Sequence, residues 1–142
     1  MAINGTSYVS ESLGDCAGGF QLVVLEASIL AAPSGGILPA NQTFLTNCGT
    51  DTNDCGTDTN DGCAITQLAD ALNNVADQPL LVFLQSIGNP ISASVTMQHL
   101  AASTISPALE VLGGIGDAFN KSIQAVTAPG YALVGGGFLR PD

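Results

Sequence analysis

Gly19-Phe20-Gln21-Leu22-Val23-Val24-Leu25 is the stretch that decides the fold. Aliphatic and aromatic β-formers fill it, and glycines bound it on the N-terminal side, so it reads as a strand. Polar residues do not alternate with apolar ones along it, as they would on a strand with one wet face. A nearly continuous apolar run suits a central strand covered on both sides. Such a strand needs neighbours and two covering layers, and the rest of the chain supplies candidates for each.

Beyond the turn cluster Pro33-Ser34-Gly35-Gly36, Asn41-Gln42-Thr43-Phe44-Leu45 reads as the partner strand of a loose hairpin. Ala64 to Asp77 carries a helical period, with Ile65, Leu68, Leu72 and Val75 on one face and Ala69 and Ala76 beside them. Pro79 stops that helix. Leu80-Leu81-Val82-Phe83-Leu84 follows as a second buried strand, and Gly88-Asn89-Pro90 turns the chain. A second helical region lies between Ala93 and Leu112. Ser106-Pro107 is a start signal inside it, Leu109 and Leu112 form its apolar face, and Gly113-Gly114 reads as its C-cap. Asp117 to Val126 reads as a short helix and Tyr131-Ala132-Leu133-Val134 as a last strand. Strands alternating with helices predict a mixed α/β sandwich.

The 142 residues fit one domain, and 46% apolar content is enough to build a core. Only 10% are charged, against roughly 25% in an average domain, so the surface is made of Ser, Thr, Asn, Gln and Gly. Twelve acids face two bases, Lys121 and Arg140. That balance excludes nucleic acid as a partner, because phosphate neutralisation needs clustered cations. Attraction to an anionic membrane fails for the same reason. Membrane insertion is not expected either, since the longest apolar run, Leu80 to Leu84, is far short of the ~20 residues that span a bilayer. No charged-then-apolar leader opens the chain. Met1-Ala2-Ile3 and Pro141-Asp142 read as the cut ends of a domain taken from a longer protein.

Four cysteines (Cys16, Cys48, Cys55 and Cys63) and three Asn-x-Ser/Thr triplets at Asn4, Asn41 and Asn120 point to a disulfide-bonded chain that is extracellular or on a cell surface. Three of the cysteines bracket an exact duplication. Cys48-Gly49-Thr50-Asp51-Thr52-Asn53-Asp54 recurs letter for letter as Cys55-Gly56-Thr57-Asp58-Thr59-Asn60-Asp61. The carboxylates of Asp51, Asp54, Asp58 and Asp61, with the neighbouring amides and hydroxyls, have the composition of a Ca²⁺ site. The EF-hand spacing fails. Counting from Asp51, the position needing a bidentate Glu is Gly62; counting from Asp58, it is Ala69. The preferred reading is a solvated loop stapled by a disulfide, with no cofactor. Cys48–Cys63, with Cys16–Cys55, is the favoured pairing, because those two cysteines flank the repeat. The duplication leaves Cys55–Cys63 with Cys16–Cys48 nearly equivalent.

Enzymatic constellations are not signalled. His99 is the one histidine and has no marked partner. No Gly-x-Ser-x-Gly elbow occurs, and Gly113-Gly114-Ile115-Gly116 lacks the Lys-Ser/Thr ending of a phosphate loop. The cysteines are too far apart for a paired zinc site. The expectation is a protein without catalytic activity.

The ordered set of segments resembles the ILEI/PANDER domain family. Gly19–Leu25, Asn41-Gln42-Thr43-Phe44, the helix at 64–77 and Leu80–Leu84 are followed by Leu112-Gly113-Gly114-Ile115-Gly116, similar to the family's "LGS" helix end. Tyr131-Ala132-Leu133-Val134-Gly135-Gly136-Gly137 is similar to its closing glycine-rich strand. The likeness spans roughly residues 19 to 138. It implies a compact β-β-α sandwich of two sheets with flanking helices, single-domain over 1–142, with residues 46–63 as an insertion. Family members are non-enzymatic. They include secreted animal signalling proteins, a sugar-binding transferase stem and modules of microbial surface proteins. The resemblance therefore implies a non-catalytic extracellular recognition module whose partner is a glycan or a surface protein. A structural spacer or assembly domain is the alternative, and a cytokine-like secreted signal is a third. Gln85-Ser86-Ile87-Gly88-Asn89-Pro90 stands where the family has an acidic turn, and Val126–Gly130 replaces basic and aromatic residues before the last strand. Gln85, Asn89 and Tyr131 are the candidate ligand-binding residues in these regions.

Overall fold

Strand β3 (Gly18–Glu26) is buried along its length, from Gly18 to Leu25. It lies inside a four-stranded antiparallel sheet, with β4 (Asn41–Asn47) on one side and β5 (Leu80–Gly88) on the other. β6 (Ala132–Gly136) pairs with β5 at the far edge. The computed structural model describes residues 1–33, 39–49, 60–76, 78–113, 119 and 132–136. A separate two-stranded hairpin, β1 (Ala2–Ile3) and β2 (Thr6–Ser7), precedes the sheet. Among the described residues, two helices are delimited, α1 (Asp61–Val75) and α2 (Val95–Val111). The fold is a mixed α/β sandwich, as the sequence predicts, and the central position of β3 follows from its unbroken hydrophobicity.

Period-two alternation sends successive β3 residues to opposite layers. Phe20, Leu22 and Val24 join Leu80, Val82 and Leu84 of β5 under the helices, against Ile65, Leu68 and Leu72 of α1 and Met97, Ile105 and Leu109 of α2. Phe119 closes this core, its ring centroid 6.2 Å from that of Phe20. Val23 and Leu25 face the other way and pack with Ile3, Met1, Tyr8, Leu30 and Phe83. Both helices therefore cover one face, and the N-terminal hairpin covers the other. Among the described residues, no helix is long and apolar enough to cross a membrane.

Four sequence expectations need correction. First, residues 1–18, to which the sequence reading assigns no strand or helix, contain a hairpin. Asn4 and Gly5 both adopt positive φ, 50° and 82°, at the tip of the β1–β2 hairpin, which is the demand of the tight turn that Asn-Gly favours. Second, α1 begins at Asp61 rather than Ala64, because Asn60 caps it, accepting from the Cys63 amide at 2.9 Å. Third, α2 does not start at Ser106-Pro107. It starts after Ser94, whose hydroxyl accepts from Met97 N, and runs through Pro107. An internal proline costs ~3 kcal/mol. The stripe Met97, Ala101, Ile105, Ala108, Leu109 and Leu112 is buried on both sides of it, and each large member contributes roughly 1.5–3 kcal/mol. The stripe outweighs the proline, which faces solvent. Gly113 ends the helix at φ 92°, as its reading as a C-cap requires.

Fourth, the favoured disulfide pairing is wrong. Cys16 is bonded to Cys48 across a sequence separation of 32. Cys63 is also disulfide-bonded, hence to neither of these. The sequence argument put Cys48 with Cys63 because they flank the repeat. The sheet overrides it, since the register Gly18↔Asn47 brings the residues just outside that pair side by side. The chain-entropy estimate for a loop of this length is roughly 3.7 kcal/mol. The proposed short helix at 117–126, apart from buried Phe119, lies outside the described residues, as does Tyr131.

Two predictions follow from these contacts. Peptide mapping without reduction should recover Cys16–Cys48 and Cys55–Cys63 as separate cross-linked pairs; a Cys48–Cys63 peptide would contradict the sheet register. Gly19 lies so close to β4 that a Cβ there would run into the Phe44 carbonyl oxygen. Gly19→Ala should therefore lower stability in urea by about 1–3 kcal/mol, the usual cost of overpacking.

Candidate functional site

The edge of the sheet at β4 is built by three separate devices. The first is a bulge. Gly18 pairs with Asn47 but Gly19 with Leu45, which leaves Thr46 as the extra residue. Thr46 is buried, and its hydroxyl donates to the Pro90 carbonyl. The Asn47 amide donates to the Asn89 carbonyl at 3.0 Å, and Ala17 bonds both sides, its N–H to Asn47 O and its C=O from Asn89 N. The strand is thus fixed at its C-terminal end.

The second device is a carboxylate. Asp61, in the first turn of α1, is 1% exposed. Its two oxygens accept from the amides of Cys48 at 2.8 Å and Gly49 at 3.1 Å. A negative charge at a helix N-terminus is favourable, and here it also anchors the end of β4 to the helix. The third device is the N-terminal arm. The Asn41 amide donates to Val9 O, and the Glu11 N–H donates to Thr43 Oγ1. Gln21, buried on the same face, donates to Tyr8 O and Asn41 Oδ1 and accepts from Gln85 Nε2 at 2.7 Å. Buried amides are tolerated here because each finds partners.

Between these anchors runs a groove of about 650 Å³. Asn41 to Leu45 form its floor, Glu11 and Pro39 one wall, and Asn60, Asp61, Ala64 and Gln67 of α1 the other. The main chain of the floor has a definite polarity. Val24 N–H donates to Ala40 O, and the register pairs Val23 with Asn41. By antiparallel alternation, Gln42 and Phe44 turn their main-chain groups toward β3, while Asn41, Thr43 and Leu45 turn theirs away from it. Among the described residues, no cationic side chain lines the groove. Amides, a hydroxyl and the carboxylates of Glu11 and Asp61 share its lining with Pro39, Phe44, Leu45 and Ala64, so it can exchange hydrogen bonds in both directions with a polar ligand that also has apolar surface.

The sequence-derived site residues fall elsewhere or apart. Gln85 lies half-buried on the hairpin side of β5, occupied by Gln21, and Asn89 is exposed just beyond the strand. Neither lines the groove. Of the four acids of the repeat, Asp61 holds backbone amides; Asp51, Asp54 and Asp58 lie outside the described residues, as does Tyr131. Among the described residues, no group of three His, Cys, Asp or Glu side chains gathers as a metal site. His99 is exposed on α2. What sequence reasoning missed is the groove itself. Its signal was the polar character of Asn41-Gln42-Thr43 beside a wholly apolar strand, which marks a sheet edge.

Asp61→Asn should lower stability by about 1.5 kcal/mol, the low end for hydrogen bonds to a charged group, because water can reach exposed Cys48 and Gly49. Hydrogen exchange at those two amides should accelerate. Asp70→Asn, on the exposed side of α1, should stay within about 0.5 kcal/mol of the parent.

Comparison with protein-family models, with curated proteins and with solved structures finds no match for this chain.

Proposed function

We propose that the chain is a non-catalytic recognition module of a secreted or surface protein, with the groove beside β4 as its binding site and carbohydrate as its ligand class. The observation that carries this reading is the lining of the groove. Asn41, Gln42, Thr43, Asn60 and Gln67 offer donors and acceptors in a cleft whose volume falls in the range of small-molecule sites. Sugar hydroxyls need both, and a neutral ligand meets no repulsion from Glu11. The resemblance to the ILEI/PANDER family supports the same ligand class, and the Cys16–Cys48 disulfide supports an oxidising compartment.

The alternative, an assembly domain in a multidomain surface protein, is favoured by one specific feature. β4 is an outer strand of the sheet and carries neither lysine nor proline, the residues that commonly blunt an edge.

A glycan array followed by titration with soluble sugars tests the first reading. Saturable binding at millimolar ligand or below, weakened by Gln42→Ala and Gln67→Ala with the fold retained, is the expected outcome. No binding at millimolar concentrations removes carbohydrate as the ligand.

A further inference from the structure

Asn41, Thr43 and Leu45 direct their main-chain N–H and C=O groups away from β3, into a slot walled by Glu11 and Pro39 on one side and by α1 on the other. A slot between an edge strand and a helix is the shape that strand addition uses: main-chain pairing gives affinity and the walls select side chains. We propose that β4 accepts an extended segment of another protein as a further strand of the sheet, and that this segment is neutral to basic, with a cationic side chain opposite Glu11. The proposal rests on the assembly reading and names the partner that reading requires.

Charge decides between occupants. The domain carries a net charge of −10, so a second copy laid along β4 brings an equally acidic body to the same edge. Glu11 is exposed at the wall, and among the described residues no cation in the groove lining answers it. An acidic strand is therefore repelled and a lysine-bearing one attracted, with an attraction that salt screens. The length of the accepted strand is set by the ends of the slot. Thr46 is withdrawn into the core by the bulge, and Pro39 precedes the first outward-facing residue, so pairing is confined to 41–45.

The test uses a capped, fluorescein-labelled peptide that alternates threonine and valine between terminal lysines, titrated into the intact protein. Saturable anisotropy is expected, with amide chemical-shift changes concentrated at Asn41, Thr43 and Leu45. Methylating alternate peptide nitrogens should abolish binding while leaving the protein untouched, which keeps the test valid if variants misfold. Thr43→Pro, which removes an outward N–H, should weaken binding at least tenfold with the circular dichroism spectrum retained. Glu11→Gln should weaken it severalfold and flatten its salt dependence. Absence of saturable binding, or binding indifferent to peptide methylation, overturns the proposal. So does a concentration-dependent mass in light scattering that Thr43→Pro abolishes, since the occupant would then be a second copy. In that last case the assembly reading survives while this partner does not.

Discussion

Every side chain of β3 from Phe20 to Leu25 is taken out of water, and that single demand organises the molecule. A strand buried on one face needs one covering layer; a strand buried on both needs two, made of different material. Here the residues that alternate to one side meet two helices, and those that alternate to the other meet a short hairpin and its trailing arm. Gln21 is the exception that fixes the arm's position. It is buried without apolar chemistry, so its amide must be satisfied, and the carbonyl of Tyr8 and the side chains of Asn41 and Gln85 do so. A polar residue in an otherwise apolar run thus specifies where the second layer lies.

The consequences of that arrangement reach the edge of the sheet. The arm and α1 approach β4 from opposite faces, and among the described residues they leave a groove between them. Asp61 ties the helix to the strand's end, and the bulge at Thr46 stops the strand where the disulfide begins. The groove is the space these anchors leave.

The strands and α1 were legible because their signals are local: apolar runs, a 3.6-residue period, and Pro79 as a stop. The β1–β2 turn was also local, in Asn4-Gly5, but Ile3 alone gave too little hydrophobic pattern around it to draw attention. Three features were not legible. The continuity of α2 through Pro107 depends on what lies beneath it, and sequence reading assigns a proline by its backbone chemistry alone. The disulfide depends on strand register, which a one-residue bulge shifts. The groove depends on which strand ends up outermost in the sheet, and Gln85, chosen from the turn after the middle strand, sits on a face that the arm already occupies.

The Cys16–Cys48 bond also bears on how the domain carries load. In a chain pulled from its N-terminus, tension passes from Cys16 directly into Cys48 and bypasses the β3–β4 hairpin. The 32-residue separation between the two cysteines corresponds to about 110 Å of extended polypeptide that cannot be paid out while the bond is intact. The two-stranded hairpin and the arm lie outside that covalent loop and are not held by it. Reduction would lengthen the tether without changing its sequence, so the thiol chemistry of the surroundings sets the reach of the domain under force.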